Sequence, residues 1–139
     1  MELDEITGII IDASRRIHDR FGPGLLESLY EAVLACDLRR RGLAVERQRL
    51  ISFAYDGIEI EDAFRADLIV QGSVIVEVKS LERPASLHAR QLLTYLRLTD
   101  LRVGLLLNFG LELMKDGIKR VVNDYTPPIS SPLRVNRPR

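Results

Sequence analysis

The sequence predicts an α/β fold in which a mixed central β-sheet is flanked by helices, in the order α-α-β-β-β-α-β. Three observations predict it. Two helical patterns of apolar residues begin the chain, three consecutive strand patterns follow, and a further helical pattern separates those strands from a last apolar run. With 139 residues, the chain is long enough to bury its own core, and we expect one domain at residues 1–122.

Two helices are expected first. From Asp4 to about Arg20 the apolar residues recur at helical spacing, and Asp4 is well placed to cap the start. A Gly-Pro-Gly break follows, and a second helix is expected from about Leu25 to Arg41. On this helix Glu27 lies at the border of the apolar stripe, whereas Glu31 is expected further round, towards solvent. Glu27 either complements the positive start of the helix or points into a site between helix and sheet.

Three strands are expected next. The run from Val45 to Tyr55 predicts the first strand, and Asp56-Gly57 is a strong signal for the turn into a return strand. The return strand leads into the stretch from Phe64 to Lys79, where two apolar runs rich in β-branched residues are divided by a short polar turn. The sheet up to this point is therefore predicted to be an antiparallel meander.

Three charged residues interrupt these apolar strands. Glu77 and Lys79 share one face of their strand, because successive side chains alternate between faces. A three-residue loop would pair Val70 with Val74. It would thereby put Asp67 opposite Glu77, whereas a two-residue loop would put the two acids on opposite faces. The cluster is either an active site on a half-buried sheet or a solvated cross-strand ion pair.

The third helix presents a polar stripe. Ser86 can cap a helix from Leu87 to about Thr99, on which His88, Gln91 and Tyr95 fall on one face. Polar side chains on a face that should be apolar indicate the border of a wet, charged site. Such a stripe could hold the ammonium of the strand lysine or a phosphate oxygen.

The rest of the chain completes the sheet. Leu101 to Asn108 is almost unbroken apolar sequence, which predicts a strand in the interior of the sheet. Ile118 to Val122 is expected to form an edge strand. From Asn123 the composition changes, and residues 123–139 are expected to be a flexible, proline-rich basic tail.

Composition limits the partners. The net charge is zero, so any affinity for nucleic acid must come from local patches, and basic runs such as Arg39-Arg40-Arg41 are equally typical of a solvated helix end. No apolar run approaches the ~20 residues that span a bilayer, and we expect no membrane partner and a cytoplasmic location. The lone Cys36 has no partner for an intrachain disulfide and is expected to be buried.

A family resemblance rests on three residues, Asp67 of the return strand and Glu77 and Lys79 of the third strand. Asp67 followed by Glu77-x-Lys79 resembles the PD-(D/E)XK nuclease superfamily, whose signature is an aspartate on one core strand and E-x-K on the next. Ala66 stands where the motif has its proline. In that superfamily the carboxylate, and not the proline, binds the metal, so the resemblance still implies the same ligands.

Further matches lie on the helices. Gln91 to Tyr95 is similar to the QxxxY motif of the recombination-exonuclease branch, and Glu27 matches the glutamate that the first core helix often contributes. The stretch GLLESLYE from Gly24, the E-x-K strand, the third helix and GLLLNFG are similar to the small bacterial proteins called the GxxExxR family, over roughly residues 6–122. Tyr30 stands where the arginine of that label would fall.

The resemblance implies a restriction-endonuclease-like core and metal-dependent hydrolysis of phosphodiester bonds in nucleic acid, with DNA as the expected partner and Mg²⁺ or Mn²⁺ as the cofactor. A homodimer is one arrangement that this superfamily uses on duplexes. The alternative is a nuclease-fold module that binds or regulates nucleic acid with little turnover.

The three-residue loop would also place Arg65 opposite Lys79, a like-charge pair that fits a substrate phosphate between them. The implied roles are catalysis by Asp67, Glu77, Lys79, Glu27, Gln91 and Tyr95, metal ligation by Asp67, Glu77, Glu27 and the carbonyl of Val78, and substrate contact by Arg65 and His88.

Overall fold

A computed structural model describes residues 1–124 and 133–135, the latter by their backbone. The helices and strands of these residues are, in chain order, α1 (Leu3–Phe21), α2 (Glu27–Arg40), β1 (Val45–Tyr55), β2 (Ile58–Val70), β3 (Val74–Lys79), α3 (Ser86–Thr99), β4 (Val103–Asn108), α4 (Met114–Gly117), β5 (Ile118–Val122) and β6 (Leu133–Val135). They follow one another in the order that the apolar patterns predict, with a short additional helix, α4, before the edge strand and a short additional strand, β6, at the end.

The strands form one mixed sheet in the order β5-β4-β3-β2-β1-β6. Strand β3 runs parallel to β4, and the other neighbours are antiparallel. The parallel pair is possible because α3 connects the two strands and carries the chain back to the same end of the sheet. The predicted fold class, a mixed sheet flanked by helices, is confirmed.

The sheet is covered on both faces, which explains why its central strands are apolar throughout. Helices α1 and α2 cover one face with a core that includes Ile10, Leu34 and Val76, and α3 covers the other with a core that includes Leu92 and Ile75. All six residues of β4 are buried, as are five of the six in β3. A charged side chain on β3 is therefore placed inside the molecule.

Helix α2 is rotated about its axis relative to the prediction, so that different residues face the core. Its buried residues include Tyr30 and Glu31, whereas Leu26, Leu29 and Cys36 are exposed, so the expected burial of Cys36 and exposure of Glu31 were wrong. Tyr30 sets the rotation of the helix. Its ring stacks on Phe109 with 4.4 Å between centroids, and its hydroxyl donates to the carbonyl of Gly22 and accepts from the amide of Leu25 at 3.1 Å.

Two predicted helix starts also differ. The N-cap of α1 is Glu2 rather than Asp4, and its backbone N–H donates to the Glu5 carboxylate in a capping box. Helix α3 begins at Ser86 itself, with Ala85 at the N-cap and no side-chain cap bond. Both differences are of one or two residues, within the usual uncertainty of a helix end.

The ends of β3 and β4 are tied together by Asn108. Its side-chain oxygen accepts from the amides of Leu81 at 2.9 Å and Gly110 at 3.1 Å, and its side-chain nitrogen donates to the carbonyl of Arg83 at 3.0 Å. A Cβ on Gly110 would lie 2.3 Å from the carbonyl oxygen of Leu81. Only glycine allows this approach, which fixes the segment that follows β3.

The predicted tail lies mostly outside the described residues. Within it, Leu133–Val135 forms β6 and pairs with Phe53–Tyr55 of β1. None of the described helices is long and apolar enough to cross a membrane.

Candidate active site

Of the two loop lengths considered for the central hairpin, the structure has the longer one. Val70 pairs with Val74, which requires the three-residue loop, and the β2–β3 ladder ends at Leu68 and Val76. Beyond that point β2 continues to pair with β1 but no longer with β3. The two strands separate where Asp67 and Glu77 stand, and we call this place the fork.

At the fork, the two carboxylates replace the missing ladder bonds. The backbone N–H of Asp67 donates to Glu77 Oε2 at 2.9 Å, and the backbone N–H of Val78 donates to Asp67 Oδ2 at 2.9 Å. Each acid therefore bonds to the backbone of the other strand. The exchange fixes both carboxylates side by side.

Glu77 lies in surroundings that oppose its charge. It is only 6% exposed, and burial raises the pKa of its carboxyl to about 8, with a further rise from the charge of Asp67. The N–H of Asp67 and the ammonium of Lys79 act in the opposite direction but do not offset burial. The fork is thus a place where two negative charges lack sufficient positive compensation.

Tyr95 borders the same place from α3. Its ring stacks on Phe64 of β2, with centroids 3.8 Å apart and planes 5° apart. Burial raises the pKa of the Tyr95 hydroxyl, and the charges of Glu77 and Asp67 raise it further. The influence of these two charges on the Tyr95 hydroxyl is consistent with its predicted position beside the acids.

Two further residues, Glu31 and Gln48, join the fork, although the sequence did not single them out. The Gln48 side-chain nitrogen donates to Glu31 Oε1 and, at 3.3 Å, to Asp67 Oδ1. The other oxygen of Glu31 accepts from Arg47 Nε at 3.1 Å and Nη2 at 3.0 Å. A chain of hydrogen bonds therefore runs from α2 through β1 to the fork. The one available signal was the polar run from Glu46 to Arg49 near the start of a strand whose later residues are mostly apolar.

Lys79 approaches Glu27 of α2. Its Nζ lies 3.9 Å from Glu27 Oε1, and it has no hydrogen bond to Gln91 among the described residues. Glu27 and Glu31 are one helical turn apart on α2, so the helix places one glutamate near the lysine and one near the aspartate.

Arg65 does not face Lys79. The β2–β3 ladder ends at Leu68, before it reaches Arg65, and Arg65 pairs only with Leu50 of β1 on the other side of β2 among the described strands, so the predicted opposition was wrong. The reason is that the hairpin register applies only as far as the ladder extends.

His88 and Gln91 lie together on the surface of α3. They line a shallow cavity of about 310 Å³, and their side chains make no hydrogen bond to the fork acids within the described part of the chain. Gln91 is exposed and His88 is half-buried. The structure brings Asp67, Glu77 and Tyr95 together, with Lys79 and Glu27 beside them, and leaves these two residues at the periphery.

The donor set of the fork suits a small, hard cation. Within residues 1–124 no group of three or more His, Cys, Asp or Glu residues is arranged to hold a metal ion. Mg²⁺, however, is commonly held by only one or two carboxylates and keeps several waters. Asp67 and Glu77 supply two such carboxylates, and a divalent cation would provide the positive charge that both acids need in order to be ionised together.

Comparison with known proteins gives one finding. A protein-family model described as the PD-(D/E)XK nuclease superfamily matches residues 4–121, from α1 into β5. Neither the curated proteins nor the solved structures gave a match.

Proposed function

This chain belongs to the PD-(D/E)XK nuclease superfamily, and we propose that it is a metal-dependent nuclease that hydrolyses phosphodiester bonds in DNA. The observation that carries the proposal is the fork, where Asp67 and Glu77 each bond to the backbone of the other strand. The half-buried Lys79 follows two residues later. Two adjacent carboxylates can hold a metal ion that assists phosphodiester hydrolysis, and a nearby lysine can stabilise the charge that develops on the phosphate.

The metal would be Mg²⁺ or Mn²⁺, held by the carboxylates of Asp67 and Glu77 and by the backbone carbonyl of Val78. Nucleases of this superfamily generally use divalent metals. A ligand must be deprotonated to bind, so loading would release the proton that Glu77 holds at neutral pH. When bound, the ion would lower the pKa of a coordinated water and offset the negative charge of the phosphate.

Lys79 would stabilise the charge that develops on the phosphate oxygens. Glu27 lies 3.9 Å from its ammonium, and we assign Glu27 to the orientation of Lys79 rather than to the metal. Tyr95, stacked on Phe64, would border the substrate on the side of α3.

Three peripheral residues would contact the DNA. Gln91 and His88 lie about one and two turns before Tyr95 along α3, with Gln91 exposed and His88 half-buried, and Arg65 is exposed on β2. Contacts of this kind hold the phosphate backbone in register without reading the sequence.

Within the superfamily, we propose a relation to the GxxExxR proteins. In this chain the segment Gly24-x-x-Glu27-x-x-Tyr30 forms one unit, in which Tyr30 holds the loop before α2 and Glu27 approaches Lys79. The tyrosine that differs from the label therefore has a structural role that explains its presence.

The test is cleavage of labelled DNA and RNA of one sequence, single- and double-stranded, with Mg²⁺, Mn²⁺ or EDTA. We expect DNA to be cut only with metal. Asp67→Asn and Lys79→Met should each reduce the rate by about a hundredfold or more, because a bound metal and a fixed charge contribute several kcal/mol to such reactions.

Asp12→Asn is the matched control, since Asp12 is an exposed acid on α1 that pairs with Arg16 and Arg41. The proposal is wrong if no substrate is cut with either metal, or if the Asp67 and Lys79 variants cut as fast as the wild type. Metal-independent binding without cleavage would support the binding module instead.

A further inference from the structure

We infer that Gln48 is a positioning residue whose side-chain amide holds the Asp67 carboxylate in its place at the fork. The inference rests on the proposed function, because Asp67 is there a metal ligand. It extends that function to β1, a strand on which no catalytic or metal-binding residue was expected.

The backbone of Gln48 is the first observation. Its φ of 52° lies in the left-handed region, which a residue with a side chain rarely adopts within a strand. Such conformations persist only where the surrounding structure imposes them, and they concentrate at functional sites. The ladder pairs Arg47 with Leu68 and Arg49 with Ala66. Gln48 and Asp67 lie between these pairs and are not themselves paired.

The irregularity changes which way the strands face. Leu68 packs in the core under α1 and α2, whereas Ala66 packs in the core under α3. Two residues so spaced would share a face in a regular strand. Val45 and Ile51 of β1, which are also an even number of residues apart, are divided between the same two cores. Both strands therefore rotate near Gln48 and Asp67, whose side chains meet there.

The hydrogen bonds show what the rotation achieves. The amide nitrogen of Gln48 donates to Glu31 and, at 3.3 Å, to Asp67 Oδ1. Glu31 is itself held on its other oxygen by two bonds from Arg47. Asp67 Oδ2 accepts from Val78, so both oxygens of Asp67 have a fixed donor.

The chemistry of the side chain fits this role. A primary amide has two N–H groups, one for each carboxylate. Because the amide is neutral, it orients Asp67 without neutralising it, whereas a lysine or arginine in the same place would compete with a cation for the carboxylate. Glu31 acts through Gln48, as an anchored acceptor on the far side of the amide.

The experiment compares wild type with Gln48→Gly and Gln48→Glu. Glycine keeps the left-handed backbone and removes the amide, while glutamate keeps the shape and replaces the donor by a third carboxylate. The control is Gln71→Gly. Gln71 also has a positive φ, of 55°, but lies in the β2–β3 turn, where its side chain accepts from Ala44.

The first readout needs no metal. In EDTA, hydrogen exchange of the Val78 amide, measured by NMR, reports whether Asp67 still accepts from it. We expect exchange at least about tenfold faster in Gln48→Gly than in wild type or Gln71→Gly, because Asp67 would be free to turn away.

The second readout is Mn²⁺ affinity by calorimetry. We expect Gln48→Gly to bind about 10- to 100-fold more weakly, the usual effect of removing a residue that orients a ligand, and Gln71→Gly to bind as the wild type does. Gln48→Glu should have a lower melting temperature in EDTA and a larger rise on addition of Mn²⁺ than the wild type.

The two possible failures are distinguishable. If a folded Gln48→Gly has the same Val78 amide exchange rate and the same Mn²⁺ affinity as the wild type, Gln48 does not position Asp67. If instead the wild type binds no Mn²⁺ while the Val78 amide of Gln48→Gly still exchanges faster, Gln48 holds Asp67 and the proposed metal site is wrong.

Discussion

At the scale of single residues, Glu77 is the most consequential, because an acid buried beside Asp67 is costly to ionise. Its pKa of about 8 in the folded protein exceeds the ordinary value of 4.5. Between these two pH values the folded state holds a proton that the unfolded state has lost. The contribution of Glu77 to stability is therefore complete below about pH 4.5 and declines as the pH rises towards 8.

We predict that Glu77→Gln removes this decline, since glutamine resembles the protonated acid at every pH. In EDTA, the free energy of unfolding of the wild type should fall relative to that of Glu77→Gln as the pH is raised from 5 to 8. Urea denaturation at a series of pH values measures the difference. Parallel profiles for the two proteins would show that burial of Glu77 does not shift its titration.

The two glutamates of α2 should differ in effect. Glu31 is buried and held by Arg47 and Gln48, so Glu31→Gln should lower the cleavage rate by about 10- to 100-fold. Glu27 is half-exposed and 3.9 Å from Lys79. Exposed pairs are weak, so Glu27→Gln should lower the rate less than about fivefold.

Steady-state rates on one DNA substrate at saturating Mg²⁺ measure both effects, with Asp37→Asn, elsewhere on α2, as the control. An equal loss in the two glutamine variants, or a larger loss in Glu27→Gln, would mean that Glu27 is closer to the chemistry than Glu31. In that case the original expectation from the sequence was the better one.

At the scale of elements, the end of β4 controls where the segment after β3 lies. Asn108 is 2% exposed, and within the described residues its side-chain bonds go to the backbone of that segment and of Gly110. Asn108→Ala leaves two partly buried amides without acceptors, which should lower the free energy of unfolding by about 1–3 kcal/mol.

Thermal or urea denaturation measures this loss, and Thr94→Ala on the exposed face of α3 is the control, with an expected change within about 0.5 kcal/mol. Gly110→Ala should be at least as damaging, because its Cβ would collide with the carbonyl of Leu81. If Asn108→Ala is as stable as the control, the segment is held by other contacts.

The sequence predicted these elements well where one pattern decided the outcome. Alternation and turn signals placed β1 at Val45–Tyr55, whereas the turn sequence of the central hairpin left a three-residue and a two-residue loop open. The rotation of α2 could not be predicted, because it depends on the contact of Tyr30 with Phe109, which lies 79 positions later in the numbering. Glu31 was missed for that reason.

Gln48 was missed for another reason. No local pattern marks a glutamine that will adopt a positive φ, since the conformation is imposed by the strands that surround it. Arg65 was misplaced because the hairpin register was extended past the point where β2 and β3 separate. In both cases the missing information was the fork, which is a property of three strands together.

At the scale of the whole molecule, the fork gathers groups from elements that are far apart in the chain. Asp67 comes from β2, Glu77 and Lys79 from β3, Gln48 from β1 and Tyr95 from α3. The net charge is zero, so the negative charge that would attract a divalent cation is local to the fork. A site of this kind requires the complete fold.

The most direct test of the central claim is a crystal structure of the wild-type protein soaked in Mn²⁺, with anomalous scattering recorded to locate the ion. We predict an anomalous peak at the fork, with oxygen atoms of Asp67 and Glu77 among its ligands, and no such peak in Asp67→Asn. A fully soaked crystal with no peak between these two carboxylates, or with manganese bound only elsewhere, would contradict the claim that the fork is a metal-dependent nuclease site.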